Sequence, residues 1–186
     1  MIEMESVVRR GEITEIVGPL SSGRTSLFVS CLREVTAGGG MAALVDADGA
    51  FDPSSAARAG VALARVLWVR GDGRRDAGLR ATDVLVRCPG FTLVAFDFGE
   101  LPPRLSLTAA FRLKLAVRRS DVALVLIGSR RIAGAGASLA LATERDGVEW
   151  GGPTTRPTRL ARLHTRLSVV RGRGAPVAPE QRSWCA

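Results

Sequence analysis

The chain has 186 residues, 46% of them hydrophobic and 5% aromatic, enough for one compact α/β domain and too few for a second large one. Its formal charge of +8 points to a polyanionic partner, most plausibly nucleic acid, and no apolar run is long enough to span a membrane. Cys31, Cys88 and Cys185 lack CxxC spacing, which argues against zinc and for a reducing, cytoplasmic setting.

The positive charge is unevenly placed. Residues 1–103 carry 11 Lys and Arg against 13 Asp and Glu, whereas residues 104–186 carry 15 against 5. All but one of the basic residues are arginine, Lys114 being the exception, which points to a coding bias.

Residues 1–10 are charged and lack an apolar signal-peptide core, so they read as a frayed lead-in. Glu12–Val17 alternates and ends in Gly-Pro, the pattern of a buried strand entering a turn. Gly18-Pro-Leu-Ser-Ser-Gly23-Arg24-Thr25 follows, with the spacing of a phosphate loop but arginine at the lysine position. Two glycines and the backbone N–H groups of Ser21, Ser22 and Thr25 at a helix start form a cradle that favours phosphate. Leu27, Phe28, Cys31, Leu32 and Val35 recur at helical spacing over 25–35, which makes Cys31 a core residue.

Gly38–Gly40 ends that helix, and 41–45 reads as a strand buried on both faces. Asp46, Asp48 and Asp52 sit at its C-terminal end, where open parallel sheets bind ligands; turn and cap chemistry is the equally weighted alternative. The pattern then predicts a helix over 54–64, a strand over 65–69, a helix over 77–88 and an apolar strand, Phe91–Asp97, closing on an acid. A helix over 105–119 is expected, with Leu107, Ala110, Phe111, Lys114, Leu115 and Arg118 tracing its period and Arg112, Arg118 and Arg119 facing solvent. A strand over 121–128 delivers Ser129, Arg130 and Arg131 to the ligand edge. Ser138–Thr143, a Glu-Arg-Asp-Gly turn and a strand over 160–170 read as a hairpin, with His164 an improbable metal ligand. The expected domains are a lead-in over 1–10, a core over 11–174 and a loosely attached tail over 175–186.

The blocks GEITEIVGPLSSGRTSL, AALVDADGAFDPSSAARAGV and TRLSVVRGRGAPV resemble three consecutive landmarks of the RecA recombinase ATPase core, in order, from about Gly11 to Val177. Within that superfamily the chain is most similar to the ImuA type, an accessory protein of error-prone translesion synthesis. The resemblance implies a RecA-like α/β fold: a mainly parallel central sheet flanked by helices, with an antiparallel hairpin at the C-terminal end. It also implies a loop of Gly18, Ser21, Ser22, Gly23, Arg24, Thr25 and Ser26 for ATP, with Asp52 toward adenine and Thr25 and Asp97 toward Mg²⁺. Asp48 falls at the position of the water-activating glutamate. Arg171 and Arg173 fall at basic positions that reach a neighbour's nucleotide.

The departures are as informative. A guanidinium is longer and wider than the lysine ammonium and needs planar partners. Asp48 is one methylene shorter than glutamate, Ser55 stands where an aromatic ring would stack on adenine, and Ser129 stands where a glutamine would read the γ-phosphate. The second DNA-binding loop is nearly deleted between Arg131 and Ser138, and the family's N-terminal joining helix and strand is missing from this sequence. ATP binding is therefore expected to be weak, and hydrolysis slow or absent. The expected role is a non-filamenting accessory protein of SOS-induced damage tolerance. Its expected partners are single-stranded DNA, RecA, an ImuB-like polymerase subunit and an error-prone replicative-type polymerase. Two alternatives remain, an active DNA-repair ATPase using Arg24 and a pure protein scaffold. DNA contacts are expected from Arg112, Lys114, Arg118, Arg119, Arg130, Arg131, Arg171 and Arg173, with Arg74 and Arg75 placed away from them.

Overall fold

A computed structural model of the chain describes residues 7–153, 159–172 and 179–185. Strands β1 (Ile13–Val17), β2 (Met41–Asp46), β3 (Val66–Arg70), β4 (Phe91–Asp97), β5 (Ala123–Gly128), β6 (Leu139–Gly151), β7 (Arg159–Arg171) and β8 (Glu180–Cys185) form one sheet, in the order β3-β2-β4-β5-β1-β6-β7-β8. The first six in that order are parallel, and β7 and β8 add antiparallel. Helices α1 (Arg24–Ala37), α2 (Pro53–Arg58), α3 (Arg75–Arg87) and α4 (Leu107–Ser120) cover it. The expected α/β architecture, mainly parallel with an antiparallel C-terminal part, is the one observed.

Parallel strands joined by crossover helices are buried on both sides, so they need apolar residues facing both ways. β5 is buried at every position, and Ala42–Val45 and Leu93–Phe96 are nearly without solvent contact. One core lies between the sheet and α1, built from Ile16, Leu27, Phe28, Leu32, Leu44 and Val125. Val7, in the expected lead-in, is fully buried in it. The opposite core lies under α3 and α4, around Val94, Phe96, Leu113, Val117 and Leu124. Cys31 belongs to the first core, and burial pushes its thiol up to about 12, so the core reading of that residue holds.

Three local expectations differ from the structure. On α4 the buried residues are Ala110, Leu113, Ala116 and Val117, while Leu107, Phe111 and Leu115 face solvent. The helix carries two apolar stripes, and only the one rich in alanine lets it lie close to the sheet. Glu144–Gly147 is not a turn: β6 runs through it to Gly151, with a register shift between Arg145 and Gly147 that leaves Asp146 as the extra, bulged residue. Within the expected loose tail, Glu180–Cys185 pairs with β7 as β8. Trp184 anchors that strand, packing on the first core and donating from Nε1 to Thr165 Oγ1 at 3.0 Å.

The two stripes of α4 separate by mutation. Leu113→Ala should cost roughly 2–5 kcal/mol in urea denaturation, as large core truncations do. Leu115→Ala should change stability by less than about 0.5 kcal/mol. The reverse order would place the other face against the sheet.

Candidate functional site

Between β1 and α1 the chain makes a tight loop over residues 18–23. Gly23 precedes the helix with φ 89°, and Ser21 also has a positive φ of 58°. A side chain at Gly23 is excluded twice, by its φ and by Thr165, whose Oγ1 would lie 2.0 Å from a Cβ. Gly18 is pressed just as closely by Thr143. These threonines belong to β7 and β6, so those two strands clamp the loop from outside. Ser22 Oγ and Thr143 Oγ1 share a 2.7 Å hydrogen bond, and Thr143 Oγ1 donates to the Val17 carbonyl at 3.2 Å.

Arg24 does not project outward. It is buried, donates from Nη1 to the Gly18 carbonyl at 2.6 Å, and forms an ion pair from Nη2 with the Glu100 carboxylate. Glu100 is itself held by Ser129, whose hydroxyl donates to the Glu100 carbonyl at 2.6 Å. The chain segments that follow β1, β4 and β5 are thereby tied through one guanidinium and one hydroxyl. Magnesium triphosphate does not fit this arrangement. The cation at the lysine position already answers a carbonyl and a carboxylate, and the Glu100 charge stands beside the cradle a polyanion would enter. Thr25 is exposed, and Ser26 accepts through its carbonyl from Ser30.

The four carboxylates of the edge have separate duties. Asp46 accepts from the N–H groups of Gly49, Ala50 and Phe51 at 2.9–3.1 Å and from Trp68 Nε1 at 3.2 Å, which organises the turn after β2. Asp48 is paired with Arg75 Nη2 at 2.9 Å. Asp52 caps α2 through Ser54 N and Ser55 N, and the Ser55 hydroxyl, ahead of those N–H groups, holds its carboxyl below the usual range. Asp97, beside Asp46 in register, accepts from Gly99 N at 2.9 Å. Burial pushes its carboxyl above the ordinary carboxylate value; Asp46 and Asp48 add to that, while Gly99 N–H and Arg24 oppose it. Among the described residues no group of three or more His, Cys, Asp or Glu could hold a metal ion, and His164 hydrogen-bonds Glu149 and Ser183.

The arginines expected to face DNA divide three ways. Arg131 is tied to the fully buried Glu15 carboxylate and to the Gly134 carbonyl. Its Nε and Nη2 are thereby committed within the fold, while the side chain stays 31% exposed. Arg130 grips the Pro102 carbonyl through Nε and Nη2 at 3.2 and 3.0 Å and lines a cavity with Arg74 and Arg75, so those residues are neighbours rather than separate sites. On α4, Arg118 and Arg119 are exposed, Arg112 lies 3.7 Å from Asp83, and Lys114 lines a second cavity with Arg171. Arg173 lies outside the described residues.

Four functional neighbours were not read from the sequence: Glu15, Glu100, Thr143 and Thr165. A glutamate inside the apolar run of β1 was the available signal for the first. The others touch the loop across 76 to 142 residues of chain, where spacing carries no information.

Residues 6–120 match the RecA N-terminal domain family. The chain is 29% identical over 190 residues to Protein RecA of Thermus aquaticus, covering 91% of this chain and 52% of the relative. It is 35% identical over 168 residues to Protein RecA of Rubrobacter xylanophilus, covering 81% and 45%. The chain thus spans about half the length of these curated relatives. Its fold is similar to the crystal structure of the RadB recombinase, with a TM-score of 0.67 and 17% identity over all of this chain and 96% of that one.

Two outcomes test the site. Asp97 has a folded pKa above its unfolded value, so its charge costs stability at neutral pH and protonation restores it. Asp97→Asn should stabilise the protein at pH 7, and the gain should vanish as pH falls below the ordinary value of 3.8; a loss at pH 7 would contradict the assignment. Arg131→Ala strands a buried charge that keeps two backbone donors, so thermal unfolding should show a loss at the lower end of roughly 3–5 kcal/mol.

Proposed function

The chain belongs to the RecA N-terminal domain family by the match over residues 6–120, and from that premise we propose a RecA-fold accessory protein of DNA damage tolerance, of the ImuA type. It binds DNA and protein partners and hydrolyses ATP weakly or not at all. Residues 11–174 are its functional core.

The observation that carries this reading is the capture of Arg24 by the Gly18 carbonyl and Glu100. A phosphate loop works when its backbone donors and its cation are free to meet the ligand. Here the cation is engaged at two ends, so a nucleotide would have to break that pair and tolerate Glu100. Each 1.4 kcal/mol so lost weakens binding about tenfold. Asp48 is likewise committed to Arg75, which removes a free base from the edge.

Two exposed features support partner binding. Leu107, Phe111 and Leu115 recur at i, i+4 and i+8 on the outer face of α4, at 69, 52 and 56% exposure, a stripe suited to protein docking. Arg112, Arg118 and Arg119 flank it on a helix without an acidic residue, which suits phosphate-backbone contact without base specificity. The partners proposed are single-stranded DNA, a RecA filament, an ImuB-type subunit and an error-prone replicative-type polymerase.

The test is a MgATP titration of wild type and Glu100→Gln, followed by tryptophan fluorescence. Trp184 is the reporter, since it bonds Thr165, which abuts Gly23. Wild type should show no saturation at millimolar ATP, and Glu100→Gln should bind at least about tenfold more tightly. Steady-state phosphate release by wild type that disappears in Asp97→Ala would establish an active ATPase instead.

A further inference from the structure

At the C-terminal ends of β3, β4 and β5, on the side covered by α3, the surface forms an open depression, a cavity of about 550 Å³ with a wide mouth. Its lining includes Arg74, Arg75, Arg80 and Arg130, against the single carboxylate of Asp76. The four cations come from two separate places, the β3–α3 turn with the first turns of α3, and the residue pair after β5.

They are not equivalent. Arg75 is already satisfied: Nε donates to the Phe98 carbonyl at 3.0 Å, Nη1 to the Gly73 carbonyl at 3.3 Å and Nη2 to Asp48. Arg130 is anchored to the Pro102 carbonyl by Nε and Nη2, which fixes the plane of its guanidinium and leaves Nη1 uncommitted. Arg74 and Arg80 are exposed, and their guanidinium groups have no hydrogen bond or ion pair among the described residues. Exposed arginines without a carboxylate partner among the described residues occur elsewhere on the surface, Arg118 and Arg119 among them. Here two whole guanidinium forks and part of a third share one concave wall. Like charges so placed repel, and an entering polyanion relieves that repulsion and offers the planar oxygen pairs that guanidinium forks match. Leu101 and Pro103 supply apolar surface beside the cations, where a sugar or base could rest.

We infer that this cavity is a phosphate-binding site, separate from the Gly18–Thr25 loop, in which Arg74, Arg80 and Arg130 take successive phosphate groups. Its natural source is the backbone of single-stranded nucleic acid. That source rests on the DNA-binding reading above; the phosphate chemistry rests on the cavity alone.

The experiment compares the full chain with Arg74→Ala/Arg80→Ala and with a charge-matched Arg9→Ala/Arg33→Ala control. Arg74 and Arg80 hold nothing in the fold, so the first variant should keep the wild-type Tm. Binding of a labelled oligothymidylate of about 20 nucleotides is followed by fluorescence anisotropy between roughly 50 and 200 mM salt, and inorganic pyrophosphate is titrated separately by calorimetry. In the cavity variant the slope of log K against log salt should lose about 1.4, two contacts at about 0.7 each, while the control keeps its slope. Pyrophosphate binding should weaken at least about tenfold in the same variant. Equal slopes and equal pyrophosphate affinities in the two variants would overturn the site while leaving DNA binding intact. If wild type binds pyrophosphate through these arginines but no oligothymidylate, the site stands with a free phosphate ligand and the DNA-binding reading falls. Binding of neither probe would overturn both.

Discussion

Glu15 lies at the middle of the central strand β1 without solvent exposure, and a buried carboxylate must be met by donors or be destabilising. It is met by the N–H groups of Ile132 and Ala133 at 2.7 and 2.5 Å and by the Arg131 guanidinium. The path of the chain after β5 follows from that requirement. Residues 131–133 bend back over β1, Ile132 and Ala133 become core, and Ser138 N reaches the Ile13 carbonyl so that β6 starts beside β1. With β6 in place, Thr143 reaches the loop after β1. One charge buried in a strand thus sets the floor on which the candidate site is built.

The same physics recurs one strand end away. Arg24 is a buried cation, and its partners are a backbone carbonyl and Glu100. Glu100 in turn is positioned by Ser129. Arg131, Arg24 and Arg75 are therefore neutralised inside the protein, and formal charge overstates what a polyanion can meet at this edge. Arg74 and Arg80 matter because, with Arg130, they leave unneutralised donors on one concave wall of that edge. Counting basic residues by position along the chain favoured the C-terminal half. Counting those left unneutralised at the ligand edge shifts attention to the β3–α3 turn.

What the sequence made legible was whatever depends on local pattern. Apolar runs placed β1, β2, β4 and β5, glycine spacing placed the loop, and an acid closing an apolar strand marked Asp97. Helix α4 was placed but turned the wrong way, because Leu107-Phe111-Leu115 and Ala110-Leu113-Val117 both satisfy a helical period and the helix has no acid to mark its outer face. Glu144–Gly147 has turn composition, yet pairing with Thr165 and Arg166 outweighs that preference and reduces it to a bulge. β8 has no alternating pattern at all and is held by Trp184 and by pairing with β7. In the site, spacing located Gly18–Thr25 but could not show what fills the loop, since Glu100 and Thr165 arrive from distant segments.

A coding bias accounts for an arginine being available at position 24 but not for its surroundings. Lysine carries a compact charge at the end of a flexible stem, whereas a guanidinium presents donors in two directions. Arg24 uses both, one toward Gly18 and one toward Glu100, and its charge also lowers the cost of ionising the buried Asp97. In a working phosphate loop the anionic charge the cradle calls for arrives with the ligand. In this protein Glu100 supplies it, and Arg24 supplies the countercharge to Asp97. The loop's cation is thus engaged before any nucleotide arrives, and on that ground the proposed function includes weak nucleotide binding.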